Sequence, residues 1–180
     1  MASLAQTNAF TLKECWITGG TGIGAATQNT KSVGQDMWVQ LAYRLSERIS
    51  IATEFENINY KQRGYYKNLP VEPNEVNVLD NNFSLLFKYH LPLKSKLKVA
   101  AASGWTYAIR QNDYYIFEDD GVVQHTFKNV TSFSDYSIPL LLEIEYPISK
   151  TIHNHARGKY NLLRQNGSTY STGLGLSLKL

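Results

Sequence analysis

His153 and His155 flank Asn154. On a β-strand such an i, i+2 pair points to one face with its imidazoles ~6–7 Å apart, a spacing at which two ring nitrogens can share a metal ion. Zinc sites take three or four protein ligands, and no third ligand stands near them in the sequence. The pair therefore reads as a polar cluster inside a strand or beside a turn, and neither a metal nor any other cofactor is expected. Glu118, Asp119 and Asp120 bring three carboxylates together, but the further spaced oxygen ligands of a calcium loop are missing. Asp120-Gly121 is instead a hairpin-turn signal. The run Gly19-Gly20-Thr21-Gly22-Ile23-Gly24 lacks the lysine of a phosphate-cradling loop and a helical pattern after it. Its glycines read as wall.

The elements that must hold these residues are strands. In Met37–Leu45 one parity carries Met37, Val39, Leu41, Tyr43 and Leu45, and the other carries Trp38, Gln40, Ala42 and Arg44. After Ser46-Glu47-Arg48 the alternation resumes, with Ile49, Ile51, Thr53 and Phe55 against Ser50, Ala52, Glu54 and Glu56. Period two is the signature of strand, and so short a connection makes the two strands antiparallel neighbours.

The chain has 180 residues, one domain by length, with hydrophobic residues at 43% and a mean hydropathy of -0.32. Low mean hydropathy is compatible with strands that alternate apolar and polar faces. No stretch approaches the ~18 apolar residues of a membrane-spanning helix, so any insertion is by strands. A net charge of +3 carries no basic stripe of the kind that binds nucleic acid, and none is expected as a partner. The single cysteine, Cys15, excludes an internal disulfide and reads as a small wall residue. Ser3-Leu4-Ala5 has the small-x-small form that ends a signal peptide, with a mature chain from about Gln6; an ordinary flexible terminus over residues 1–10 is the alternative.

Six further strands follow from the same alternation. One covers Leu12–Thr27, before a short polar loop at Gln28–Gln35, and the others cover Phe83–Leu91, Leu97–Arg110, Asp135–Ile148, Ile152–Tyr160 and Tyr170–Leu180. Asn57–Asn82, with Pro70 and Pro73, reads as a large surface loop, Gln111–Ser132 as a second containing a hairpin, and Leu162–Ser168 as a third. Short turns at one end thus alternate with long loops at the other, the plan of transmembrane barrels. The expectation is an all-β, eight-stranded antiparallel up-and-down transmembrane β-barrel spanning residues 1–180 as one domain. Tyr43, Tyr89 and Tyr146 sit at equivalent places before three short turns, as in an aromatic girdle at a membrane interface. Phe83, Trp105, Tyr107, Tyr136, Tyr160 and Tyr170 form the second girdle.

Alternation alone does not say which face points inward, and a soluble barrel carrying a hydrophobic ligand shares it. The polar parity decides, because it mixes small residues with nearly balanced charge: Glu14, Glu54, Glu56, Asp135, Glu143 and Glu145 against Arg44, Lys88, Lys98, Arg110, Arg157, Lys159 and Lys179. Buried ions need partners, and an eight-stranded interior is just filled by side chains. A closed lumen with a charge network is expected. Tyr65, Tyr66, Tyr114, Tyr115 and Phe117 fall in the loops, where they serve either contacts or the packing of a hairpin that extends the wall.

At Gly175, Leu178 and Leu180 the last strand resembles the C-terminal assembly signal of the small outer-membrane β-barrels, the kind that includes OmpX and the membrane domain of OmpA. It departs from them at Leu180, where the family usually ends in Phe. The resemblance implies a bacterial, Gram-negative-type outer membrane and, as partners, its lipid including lipopolysaccharide, the outer-membrane assembly machinery, and an extracellular protein or host ligand at the loops. Family members range over adhesion, protection, anchoring and lipid A modification, so fold leaves activity open. The last of these chemistries requires His, Ser and a carboxylate facing lipid. Here His90, His153 and His155 share the lumenal parity and His125 lies in a loop, so the expectation is a non-enzymatic surface protein. A soluble carrier, a lipid A enzyme and a minor porin-like channel are the competing readings.

Overall fold

The computed structural model describes residues 14–27, 30–62, 76–119, 124–163 and 167–180. Eight strands follow in order: β1 (Glu14–Ala26), β2 (Thr30–Arg44), β3 (Ile49–Gln62), β4 (Val76–His90), β5 (Lys98–Asp119), β6 (Gln124–Pro147), β7 (Ile152–Leu163) and β8 (Thr169–Lys179). Each pairs antiparallel with the next, and β1 pairs with β8 to close the barrel, as the alternation predicts. The founding hairpin is β2–β3, with Tyr43 opposite Ile51 and Phe55 opposite Val39.

The apolar parity points outward. Leu41, Phe87, Leu142 and Leu174 are exposed, while Gln40, Glu54, Lys88, Glu143 and Arg157 on the other parity are buried. Outward aromatics line up across strands, because Phe55, Phe83, Tyr107 and Tyr136 stand in direct register over β3 to β6. Phe55 and Phe83 have ring centroids 5.0 Å apart, and Tyr107 and Tyr136 5.4 Å. Tyr160 faces Tyr170 across β7–β8. Tyr136 and Tyr146 bracket the turn-end half of β6; ten residues of strand tilted by ~40° span ~25 Å along the axis, the height of a lipid-facing band.

At one end the turns at residues 45–48 and 148–151 have the same construction. Ser46 Oγ accepts the N–H groups of Arg48 and Ile49 at 3.3 and 3.1 Å, and Ser149 Oγ accepts those of Thr151 and Ile152 at 3.2 and 3.0 Å. A serine opening a tight turn in this way supplies the acceptor that the turn backbone lacks.

Strand extends into three segments expected as loop, the third of them expected to contain a hairpin. β2 starts at Thr30, so most of Gln28–Gln35 is paired; the register shifts between Thr30 and Gln35, and such bulges erase alternation. In the expected loop Asn57–Asn82, β3 continues to Gln62 and β4 begins at Val76, with Asn57 opposite Asn81 and Tyr60 opposite Val78. Period two persists there with its faces exchanged. Asn59, Lys61 and Asn77 point outward, and Ile58, Tyr60, Val76 and Val78 are buried within. Residues 63–75, with both prolines, lie outside the described residues. In Gln111–Ser132, β5 and β6 run on as a hairpin to Asp119 opposite Gln124. The expected Leu162–Ser168 loop gives its first two positions to β7.

Candidate functional site

The interior is organised around β7, whose inward residues Arg157 and Lys159 meet three carboxylates from the β2–β3 hairpin. Arg157 Nη1 lies 2.8 Å from Glu54 Oε2, and its Nη2 lies 3.1 Å from Asp36 Oδ2 and 2.5 Å from Glu56 Oε1. Lys159 Nζ lies 2.7 Å from Glu54 Oε1 and 2.9 Å from Glu56 Oε2. Glu56 also accepts hydrogen bonds from Ser171 Oγ at 2.7 Å and Asn82 Nδ2 at 3.0 Å. Every one of the five ionic side chains is fully buried.

Trp38 is the platform under this cluster. The Arg157 guanidinium lies 3.9 Å from the centre of its ring, a stacked cation–π geometry. The indole in turn lies against glycines of the neighbouring wall. A Cβ added at Gly173 would fall 2.6 Å from Trp38 Cζ3 and 2.6 Å from the Thr21 carbonyl, and one at Gly20 would meet the same ring. Gly173→Ala is therefore expected to destabilise the barrel by about 1–3 kcal/mol through overpacking. Urea unfolding in detergent checks this. Introducing Trp38→Phe as well should return part of the loss, because the smaller ring withdraws one of the two clashes.

Towards the loop end, Arg110 makes a two-pronged bond to Asp80, with Nε at 2.6 Å from Oδ1 and Nη2 at 2.8 Å from Oδ2, and the Tyr60 hydroxyl donates to Asp80 Oδ2 at 3.1 Å. Beside this pair, Ala25, Ala26, Ile58, Tyr60 and Val78 form a buried apolar cluster. Towards the turn end, Lys88 pairs with Glu143 and donates to Gln40 Oε1 at 2.6 Å, and Gln40 Nε2 donates to Glu54 at 2.9 Å. Lys179 Nζ lies 2.5 Å from Glu14 Oε1, with Arg44 3.9 Å from the other oxygen. Lys98 Nζ sits over the Trp16 ring, 5.8 Å from its centre. A cavity of about 10 Å³ lies at this end between Trp16, Arg44, Ser50, Lys88, His90 and Glu145, room for one water.

The histidines occupy this turn-end interior. His90 Nε2 lies 2.7 Å from Ser50 Oγ, and its Nδ1 lies 3.3 Å from Arg44 Nη2. A guanidinium only donates, so Nδ1 is the acceptor and Nε2 carries the proton. His90 therefore donates to Ser50, the reverse of the polarity that makes serine a nucleophile. His153 stacks on Trp16 with ring centroids 4.4 Å apart and meets Glu145 Oε2 at 3.2 Å. His155 Nε2 lies 3.4 Å from Glu143 Oε1.

Among the aromatics assigned to the girdles, Tyr43, Tyr89, Trp105, Tyr107, Tyr136, Tyr146, Tyr160 and Tyr170 are all exposed on the outer wall. Gly175 stands opposite Gly20, Leu178 and Leu180 are exposed, and the Leu180 N–H bonds the Cys15 carbonyl at 2.9 Å across the β1–β8 seam. Tyr114, Tyr115 and Phe117 are strand residues of β5, opposite Asn129, Lys128 and Thr126, and Tyr65 and Tyr66 lie outside the described residues. Asp36 and Asp80 are absent from the sequence reading, Asp80 because it falls in the expected loop Asn57–Asn82 and Asp36 because it stands between the expected loop Gln28–Gln35 and the strand from Met37. Continuous parity counted back from Trp38 and Asn82 places both of them inward.

A closed eight-stranded antiparallel barrel with an apolar wall and an ion-paired interior has the fold of the small outer-membrane β-barrels. No protein-family model and no curated protein sequence matches the chain. Solved structures do. The attachment invasion locus protein Ail of Yersinia pestis superposes with a TM-score of 0.60 at 10% identity, covering 94% of this chain and 100% of that one. A major outer membrane protein from Thermus thermophilus gives 0.63 at 12% identity over 92% and 99%, and the outer membrane protein OprG from Pseudomonas aeruginosa 0.60 at 9% over 96% and 98%. At these identities the likeness is one of fold.

Proposed function

We propose that the chain is an integral, non-enzymatic protein of a Gram-negative-type outer membrane, with a sealed lumen, and that it works at the cell surface through its loop end. The observation that carries this is the exchange of faces along β3 and β4. Below Phe55 and Phe83 the wall is mostly apolar outside and charged inside; above them Asn59, Lys61 and Asn77 are outside, and Ile58, Tyr60, Val76 and Val78 stand inside beside the Asp80–Arg110 pair. That is a barrel written for two solvents, lipid and then water. The turn end is then periplasmic and the loop end external.

The buried apolar cluster at the loop end, beside the Asp80–Arg110 pair, and the ion-paired packing below it favour a sealed barrel over a channel. The inward histidines and the donor polarity of His90 towards Ser50 favour a non-enzyme. Lipopolysaccharide and other outer-membrane lipid surround the wall. Gly175, Leu178 and Leu180 are offered to the assembly machinery. Residues 63–75 and the β5–β6 hairpin, with Tyr65, Tyr66, Tyr114, Tyr115 and Phe117, are the surface for an external protein or host ligand.

The test is refolding with and without detergent, followed by gel migration with and without boiling and by bilayer conductance. The expected result is folding in detergent alone, an unboiled band that moves apart from the boiled one, and no steady conductance. A stable monomer in plain buffer overturns the membrane reading, and discrete conductance steps overturn the sealed lumen.

A further inference from the structure

The four residues His153, His155, Glu143 and Glu145 face one another inside the turn end, on two adjacent strands. Glu145 stands directly opposite His155 in the β6–β7 register, and Glu143 is two residues along on the same inward face. Ligating atoms of Glu143, Glu145 and His155 all lie within 4.8 Å of one another. His153 Nδ1 is 3.2 Å from Glu145 Oε2. A second observation points to a ligand: His155 is buried, its Nδ1 has no hydrogen-bond partner, and its Nε2 reaches Glu143 Oε1 only at a long 3.4 Å. Buried polar groups are ordinarily satisfied, so an imidazole this loosely held beside two carboxylates is a donor set short of its acceptor.

We propose that His155, Glu143 and Glu145, joined by His153, bind one divalent transition-metal ion at the turn end of the lumen. Two imidazoles and two carboxylates are the nitrogen and oxygen donors of zinc and cobalt sites rather than the all-oxygen cage of calcium. A tetrahedral ion with bonds of ~2.1 Å has ligand atoms ~3.4 Å apart, so side-chain rotation of about an ångström closes the set. The two carboxylates supply negative charge to the ion, Glu143 sharing its own with Lys88. Lys88 pairs with Glu143 from outside the set, and Gln40 Nε2 donates to Glu143 Oε1 at 3.1 Å, the kind of outer partner that orients a metal-binding carboxylate. Lys98, opposite Glu145 on β5, is drawn aside over Trp16. Glu145 keeps 14% of its side chain exposed, which opens a route for the ion from the turn-end mouth. The proposal adds a site to the function proposed above and stands whichever way the barrel faces.

The experiment uses tag-free refolded protein, stripped with a chelator and titrated in detergent with cobalt alone. The expected result is the visible absorption of tetrahedral cobalt saturating at one equivalent, bleached by zinc, and an unfolding midpoint raised by zinc. His155→Ala and Glu145→Gln should each weaken binding about tenfold or more, and His90→Ala should leave it unchanged. Unboiled migration reports whether each variant is folded; if His155→Ala is not, Glu145→Gln decides alone. No saturable band at one equivalent, or binding that persists in the folded variants, overturns the site.

Discussion

Arg157→Met should lower the stability of the refolded barrel by about 3–5 kcal/mol, the cost of leaving buried charge without its partner. The guanidinium reaches Asp36, Glu54 and Glu56 at once and rests on Trp38. Its removal leaves three carboxylates to the single Lys159 ammonium. Methionine fills much of the volume and stacks acceptably on the indole, so the loss reports charge rather than packing. Urea titration in detergent, followed by tryptophan fluorescence and by unboiled migration, gives the number. Adding Asp36→Asn should restore part of it, because that carboxylate has Arg157 as its ion partner and Asp36 and Arg157 are in direct contact. A change below about 1 kcal/mol in the single variant would mean that the interior is as well screened as a surface and that the ion pairs do not hold the barrel.

Leu142→Arg is expected to cost about 2–4 kcal/mol, the penalty for arginine near the bilayer midplane on a barrel wall. Leu142 is exposed on β6 between Tyr136 and Tyr146. The paired control is Asn59→Arg, also outward but beyond the exchange of faces, for which about 0–1 kcal/mol is expected near an interface. Unfolding of both variants in lipid vesicles separates the cases. Equal, small effects at the two positions would remove the hydrocarbon environment from the account, since a water-facing wall does not distinguish them.

What the sequence makes legible follows from where one physical rule is obeyed. From Met37 to Phe55, and in the lower halves of the other strands, the outside is mostly apolar, broken only by single residues such as Thr53, Ser103 and Asn154, so alternation identifies strand, parity and fold class together. Beyond Asn57 the alternation continues with exchanged faces, and a reading that equates polar runs with loop ends the strand at the place where the solvent changes. Asp80 is lost for that reason, and Asp36 because it lies one position before the first apolar outward residue, Met37, at which the alternation becomes visible. Parity also assigns Glu54, Glu56, Arg157 and Lys159 to a common face. Which cation meets which carboxylate depends on closure of the sheet and on tilt, neither of which a linear pattern carries. The third and fourth donors near His153 and His155 are hidden in the same way: they are Glu143 and Glu145, neighbours only through the β6–β7 register.

The central cluster also orders the events of assembly. Arg157 and Lys159 lie 101 to 121 residues downstream of the carboxylates they meet. When the β2–β3 hairpin forms, it carries Asp36, Glu54 and Glu56 with neither of those cations, and three unneutralised carboxylates are too costly to bring into hydrocarbon. Their counter-charges arrive only with β7, one strand before the seam between β1 and β8 is sewn. The cluster is thus neutralised only in a chain that has β7 in place, one strand before the β1–β8 seam.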